Sequence, residues 1–140
     1  MPIQADAYKF LLGFDYRTDN KVVGPHPLKD WLKAPAQPGI YEIGFGSTRA
    51  MFNPRYLGKA VRQTLQKRLQ QHFMHSSNTF INQHKNECYF TCRPIEAANH
   101  QKAVINNIEG LYLIAFSEQY VWNKRQEWLQ HWSVADFTDT

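Results

Sequence analysis

Apolar and polar residues alternate with a period of two in two segments of the first half of the chain, a pattern typical of half-buried strands. The first segment runs from Tyr8 to Tyr16 and the second from Gly39 to Gly46. Between them, Pro27 to Lys33 can form one or two helical turns, because proline is tolerated in the first turn of a helix. A polar loop follows Gly46, and Asn53-Pro54 closes it. Arg55 to Lys59 is then predicted to return as the partner strand of a hairpin.

The period changes to that of a helix after Ala60, where apolar residues recur every four positions. These positions are Val61, Leu65, Leu69 and Phe73. Cys88 to Arg93 is predicted as a further strand that stops at Pro94. A second amphipathic helix is predicted from its apolar residues Val104, Ile108, Leu111, Tyr112 and Ala115, and a short terminal helix from Trp122, Trp128, Leu129 and Trp132. This order predicts an α+β fold, a small mixed or antiparallel β-sheet flanked by helices.

The composition is that of one globular domain. The chain has 140 residues, of which 43% are hydrophobic, so it can bury a substantial core. It has no apolar run long enough to span a bilayer and no signal-peptide pattern, so we expect no membrane association and a cytoplasmic location. Cys88 and Cys92 lie four residues apart on a predicted strand, about 13 Å, which is too far for a disulfide. We therefore expect both thiols to be reduced.

The charge is concentrated in the middle of the chain. Between Ile43 and Lys85 there is no Asp or Glu, but there are seven cations: Arg49, Arg55, Lys59, Arg62, Lys67, Arg68 and Lys85. Elsewhere, nine basic residues are outnumbered by twelve acidic ones. A solvated basic face normally contains interspersed carboxylates. Their absence favours a polyanion as the partner of this segment.

Short motifs in this region resemble those of the GIY-YIG nuclease family. Gly39-Ile40-Tyr41 matches the first motif, and Tyr56-Leu57-Gly58 matches the second, with Leu57 in place of the usual Ile or Val. Three further segments resemble the family in the same order: Leu65 to Leu69 with its arginine, Ile108 to Leu111 with its glutamate, and Trp122-Asn123-Lys124. Together with the Lys59-Ala60 continuation, these elements cover about five-eighths of the chain. An ordered set of this kind is far more specific than a single tripeptide.

The resemblance implies a domain organisation. It places a GIY-YIG-like α/β sandwich at residues 38–124, inside a single domain that occupies residues 1–140. Residues 1–37 would be an N-terminal extension with a strand and a helix, and residues 125–140 a C-terminal aromatic helix.

The resemblance also implies a divalent-metal-dependent DNA endonuclease. In this interpretation Glu109 is the protein ligand of one Mg²⁺ or Mn²⁺ ion, Arg68 holds the scissile phosphate, and Tyr41 positions or deprotonates the attacking water. Tyr56 is the partner of Tyr41, and Asn123 orders the site. Because an unperturbed tyrosine has a pKa near 10, Tyr41 would need help from the metal or from nearby cations. The supporting or substrate-binding candidates are Lys59, His72, Asn123, Arg49, Arg55 and Arg62.

Several alternatives remain open from the sequence. His72 lies one helical turn after Arg68, which fits either a phosphate-contacting or base role or a helix-capping surface histidine. His84, Cys88 and Cys92 have a spacing that could suggest zinc, but a fourth ligand is missing. Trp122 could stack on unpaired bases or pack in the core. The domain could also bind nucleic acid without cutting it, or act as a nuclease toxin or effector. One site per chain cuts one strand, so double-strand cleavage would require a homodimer on DNA or two binding events.

Overall fold

The computed structural model describes residues 21–95, 105–106, 108–110 and 119–123. It confirms an α+β fold, in which a four-stranded antiparallel sheet is flanked by helices. The elements are β1 (Val23–Pro27), a 3₁₀ helix (Leu28–Lys33), β2 (Gly39–Phe45), β3 (Asn53–Ala60), α1 (Leu65–His75), α2 (Thr79–His84) and β4 (Tyr89–Pro94). Residues 105–106 and 108–110 are helical as well. The strand predicted at residues 8–16 and the helix predicted after Trp122 lie outside the described residues, as do Val104, Leu111, Tyr112 and Ala115. Within the described ranges, no helix is both long and apolar enough to cross a bilayer.

The sheet has the strand order β1-β4-β2-β3, and all neighbouring strands are antiparallel. The predicted hairpin is confirmed as β2 and β3, with Gly39 opposite Ala60 and Tyr41 opposite Gly58. An antiparallel hairpin brings the start of its first strand beside the end of its second. Tyr41 therefore lies next to the end of β3, close to the segment that leads into α1.

β1 is a strand that the sequence pattern did not predict. It contains Gly24, Pro25 and Pro27 in five residues, so it has no alternation, and proline removes a backbone donor from the ladder. Proline is tolerated on an edge strand, and β1 is at the edge of the described sheet. β3 also begins two residues earlier than predicted, at Asn53.

The two helices that follow β3 begin at polar capping residues. α1 starts at Leu65, and the Thr64 side chain accepts a hydrogen bond of 3.0 Å from the Lys67 backbone N–H. Val61 therefore lies before the helix, and the predicted start near Ala60 is wrong. α2 was not predicted; the Asn78 side chain caps it by accepting 3.1 Å from the Ile81 N–H. A side-chain cap replaces a missing intrahelical bond and fixes where a helix begins.

The main core lies between one face of the sheet and the helices. The sheet contributes Tyr41, Ile43, Phe90 and Cys92, and the helices contribute Leu28, Leu65, Leu69 and Ile81, all of them buried. Cys88 and Cys92 are free and buried, in agreement with the prediction that they are reduced. Burial raises the pKa of each thiol to about 12, so both are unreactive at neutral pH.

The opposite face of the sheet holds a buried polar group. Glu42 is buried there, and its carboxylate accepts hydrogen bonds from Tyr120 Oη at 2.6 Å and from Thr91 Oγ1 at 3.4 Å. Buried carboxylates require such partners. The contact fixes Tyr120 to β2 and brings the following residues, up to Asn123, against the sheet.

Candidate active site

Two tyrosines from the β2–β3 hairpin, Tyr41 and Tyr56, have neighbouring side chains. The rings of Tyr41 and Tyr56 have centroids 6.2 Å apart. The Tyr41 ring lies across Gly58, because a Cβ added at Gly58 would be only 2.3 Å from Cζ and Oη of Tyr41. The glycine of the second motif is therefore required by the packing of the tyrosine of the first.

Burial differs between the two tyrosines. Tyr41 is 0% exposed, whereas Tyr56 is half-buried. Burial, followed by the neighbouring Tyr56, raises the pKa of Tyr41 well above its ordinary value, although the charge of Arg68 acts in the opposite direction. The structure thus buries the residue that was predicted to contact the attacking water. Tyr56 is the member of the pair with access to solvent.

His72 on α1 completes a buried aromatic group with the tyrosines. Its ring centroid is 5.5 Å from that of Tyr41 and 5.4 Å from that of Tyr56. His72 Nε2 is 2.7 Å from Tyr41 Oη, and Nδ1 is 2.8 Å from Ser76 Oγ. Burial and then the charge of Arg68 lower the pKa of His72 to about 3. His72 is thus a neutral, buried residue, and its interpretation as a surface histidine is wrong.

Arg68 lies one turn before His72 and faces both tyrosines. It is hydrogen-bonded to Tyr41 and to Tyr56, and its Nη1 donates to Gln71 Oε1 at 3.2 Å. Burial on its own would lower the pKa of Arg68, but the two tyrosines raise it. With Arg68 donating to the Tyr41 oxygen, we assign the Tyr41 proton to the bond with His72 Nε2. Neutral His72 then carries its proton on Nδ1 and donates it to Ser76.

An ion pair approaches the site from the other face of the sheet. Lys59, on β3, pairs with Ile40 and therefore lies on the face opposite Tyr41. Its Nζ is 3.1 Å from Glu109 Oε1, and the Glu109 side chain is 17% exposed. The negative charge of Glu109 also acts on Tyr41. β3 thus carries Tyr56 on one face of the sheet and Lys59 on the other. It is an edge strand of the described sheet.

Asn123 fixes that edge from outside. Its Oδ1 accepts from the Leu57 N–H and its Nδ2 donates to the Leu57 carbonyl, both at 2.9 Å. The amide thus occupies both backbone groups of the residue that follows Tyr56. Asn123 therefore holds the backbone next to Tyr56, and its role in ordering an active site stays a prediction.

The other predicted cations lie away from the tyrosines. Arg49 donates from Nη2 to the Val22 carbonyl at 2.6 Å and from Nε to the Gly24 carbonyl at 3.3 Å. It therefore joins the β2–β3 loop to β1 and to the residue before β1. The Arg55 guanidinium lies over the Phe45 ring, 5.8 Å from its centroid. Arg62 is exposed in the turn before α1. These contacts are with other residues than the tyrosine pair, so a phosphate-binding role for Arg49, Arg55 or Arg62 would be separate from the one proposed for Arg68.

Two aspects of this region were missed by the sequence interpretation. Ser76 connects the site to α2, because its Oγ contacts His72 and also accepts from the Asn78 N–H at 3.1 Å. Asn78 Nδ2 in turn donates to the Trp122 carbonyl at 2.8 Å. A signal was present: Asn78 before an apolar helical turn is a capping pattern, and Ser76 follows His72 at a helical spacing of four.

The donor set fits the implied metal. Glu109 offers a hard carboxylate oxygen at the boundary with solvent, and in the described ranges no group of three or more His, Cys, Asp or Glu is placed to hold an ion. Mg²⁺ is commonly held by one or two carboxylates together with water and substrate phosphate, whereas structural zinc takes four N or S ligands. His84, from the zinc alternative, packs its ring against Trp122 and Phe45. Glu109 therefore offers the type of oxygen ligand that Mg²⁺ takes.

Comparisons with known proteins add no relative to this picture. Neither the protein-family models, nor the curated proteins, nor the solved structures gave a match to the chain. The functional interpretation consequently depends on the motifs and on the geometry described above.

Proposed function

We propose that the protein is a divalent-metal-dependent endonuclease that hydrolyses phosphodiester bonds of DNA. The observation that carries the proposal is that Arg68 lies against Tyr41 and Tyr56, while the negative charge of Glu109, which pairs with Lys59 on the other face of β3, also acts on Tyr41. Phosphodiester hydrolysis requires an activated water, stabilisation of charge on the phosphate and assistance to the leaving oxygen. The site offers one residue type for each requirement.

Arg68 would bind the scissile phosphate. A guanidinium presents several N–H donors in a planar fork that matches two phosphate oxygens. Arg68 is half-buried and is held by Gln71 and the tyrosine hydroxyls, so little side-chain freedom would be lost on binding. Lys59, which is more exposed than Glu109, would add a positive charge on the other face of β3, next to the carboxylate.

Tyr56 would position the attacking water. Its side chain is only partly buried, and its hydroxyl is hydrogen-bonded to Arg68, the residue proposed to bind the phosphate. The buried side chains of Tyr41 and His72 would hold the Tyr56 ring and Arg68 in place from the core side. This arrangement exchanges the two roles expected from the sequence, in which Tyr41 contacted the water and Tyr56 supported it.

Glu109 would hold the metal ion. A Mg²⁺ ion bound there would supply Lewis-acid stabilisation of the negative charge on the phosphate. In the structure Lys59 neutralises the carboxylate, and it would be released toward the substrate when a cation takes its place.

Cleavage of supercoiled plasmid tests the proposal. With Mg²⁺ the wild-type protein should convert the plasmid to nicked or linear forms, and EDTA should stop the conversion. Glu109→Gln keeps the size of the side chain but removes its charge, and we expect it to reduce the rate by more than about 100-fold, because a catalytic metal contributes several kcal/mol. Glu87→Gln is the matched control, since Glu87 is a 72% exposed carboxylate paired only loosely with His84 at 3.9 Å.

Two results would contradict the proposal. If the protein shifts plasmid, linear duplex and branched DNA on a gel but cuts none of them, it is a binding module. If Glu109→Gln cuts as fast as the wild type, the metal ligand is misassigned.

A further inference from the structure

Phe80 is an aromatic side chain with one covered and one open face. It lies on α2 and is 48% exposed. The Trp122 ring lies nearly parallel to it, with an interplanar angle of 7° and a centroid distance of 6.0 Å. Because Trp122 covers one face of the Phe80 ring, the exposed area lies on the opposite face and along the edge.

The tryptophan behind Phe80 is firmly held. Its backbone N–H donates to the Arg55 carbonyl at 2.8 Å, and its own carbonyl accepts from Asn78 Nδ2 at 2.8 Å. Its ring also contacts Phe45 edge-on at 5.4 Å and stacks with His84 at 5.8 Å. Trp122 is therefore a core residue, as one of the two sequence interpretations expected. Phe80 packs on the Trp122 ring, so its exposed face is accessible without a rearrangement.

The same contacts fix Phe80 relative to the proposed active site. Asn78, two residues before Phe80, is joined through Ser76 to His72. On the other side, Asn123 follows Trp122 and holds Leu57, the neighbour of Tyr56. The open ring and the tyrosine pair thus belong to one connected framework.

Charge identifies the partner that this ring suits. Phe80 lies inside the stretch between Ile43 and Lys85, which contains seven cations and no carboxylate. The Arg55 guanidinium lies over Phe45, which in turn contacts Trp122. Glu87 lies near this position, 3.9 Å from His84, but a nucleic-acid strand would bring both a phosphate for the neighbouring cations and a flat base for the ring.

We propose that Phe80 stacks on an unpaired base of the DNA strand, so that the preferred substrates carry unpaired bases beside the cleavage site. In an intact duplex both faces of a base are covered by its neighbours, and the ring of Phe80 would have to displace one of them. A base at a gap or flap has a free face and can stack at no such cost. This proposal rests on the proposed function for its substrate, but the contact itself can be measured without cleavage.

The experiment measures binding to oligonucleotides in EDTA, which prevents cutting. One duplex is intact and the other has a three-nucleotide gap containing 2-aminopurine, whose fluorescence is quenched when it stacks. The wild type should bind the gapped DNA about tenfold more tightly and quench the probe, since one stacked base contributes about this factor. Phe80→Ala should lose both the preference and the quenching, and Phe80→Tyr should retain them. Leu32→Ala is the control, because Leu32 is 68% exposed on the 3₁₀ helix and should change nothing.

Other results overturn the inference. It is wrong if Phe80→Ala keeps the preference for gapped DNA, if it weakens binding to both DNAs equally, or if the wild type does not bind the gapped DNA. It is also wrong if the wild type self-associates and Phe80→Ala abolishes that association, since the ring would then contact a second copy. The plasmid assay distinguishes failure of this proposal from failure of the proposed function. If the probe is quenched but no plasmid is cut, Phe80 stacks on a base and the protein is not a nuclease. If plasmid is cut but the probe is not quenched, the protein is a nuclease and the stacking proposal is wrong.

Discussion

The properties of individual residues in the site follow from where the chain buries them. Tyr41 and His72 are both buried and share a hydrogen bond of 2.7 Å. Removing such groups from water favours their neutral forms, which is why the pKa of Tyr41 is raised and that of His72 is lowered. The sequence motifs identified the tyrosine and its chemistry, but the extent of burial depends on tertiary packing. The difference in burial between Tyr41 and Tyr56 could therefore not be predicted from the motifs.

Burial of neutral His72 predicts a pH dependence of stability. The pKa of His72 is about 3 in the folded protein and 6.5 ordinarily, so between these values the unfolded chain binds a proton that the folded chain does not. The free energy of unfolding should therefore fall as the pH is lowered from 6.5 toward 3, by about a few kcal/mol in total. Urea denaturation between pH 7 and pH 5 measures the start of this loss.

The matched variants for this prediction are both histidine to glutamine changes on α1. His72→Gln cannot titrate, so its stability should change less between pH 7 and pH 5 than that of the wild type. His75→Gln removes an exposed histidine in the last turn of the helix and should keep the wild-type slope. Equal slopes for the wild type and His72→Gln would mean that His72 is not held neutral.

At the scale of elements, success of the sequence prediction depended on how regular each pattern is. The apolar residues of β2 alternate, β3 follows as its hairpin partner, and the predicted positions of β2, β3 and β4 agree with the structure to within two residues. β1 was not predicted because its two prolines and its glycine interrupt the alternation of apolar and polar residues. α1 was predicted to start too early, since Val61 continues the apolar spacing although Thr64 caps the helix. Short elements held by caps or by partner strands leave little periodic signal.

At the outer edge of β3, the side-chain amide of Asn123 makes the hydrogen bonds that a neighbouring strand would otherwise make. Asn123 occupies both backbone groups of Leu57, and Leu57 is buried. Asn123→Ala should leave these groups without a partner and destabilise the protein by about 1–3 kcal/mol. Hydrogen exchange of the Leu57 amide should become faster, and urea denaturation gives the loss of stability.

A control for this prediction comes from another asparagine. Asn86 is exposed in the turn between α2 and β4, so Asn86→Ala should change neither measurement. If Asn123→Ala leaves the exchange of the Leu57 amide as slow as in the wild type, the amide is not what protects this edge.

At the scale of the whole molecule, the fold distributes the cations of the middle block over different tasks. Arg49 is fastened to backbone carbonyls and Arg55 lies over an aromatic ring, so both contribute to packing. Arg68 lies in the tyrosine cluster. Arg62 and Lys67, by contrast, are exposed at the start of α1. The sequence showed that this block is positive, but only the structure separates the cations with structural contacts from those that face solvent.

If the protein binds DNA as proposed, this separation predicts which cations contribute to the binding. Each phosphate contact releases bound counterions, so the slope of log K against log salt measures the number of contacts. Arg62→Gln and Lys67→Gln should each make this slope shallower by about one and weaken binding to all sequences alike. Lys29→Gln removes an exposed lysine from the 3₁₀ helix, outside the carboxylate-free stretch, and should leave the slope unchanged. Titrations of a fluorescent duplex at several salt concentrations give the three slopes. If Lys29→Gln lowers the slope as much as the α1 variants do, DNA is attracted by the net charge of the molecule rather than by this surface.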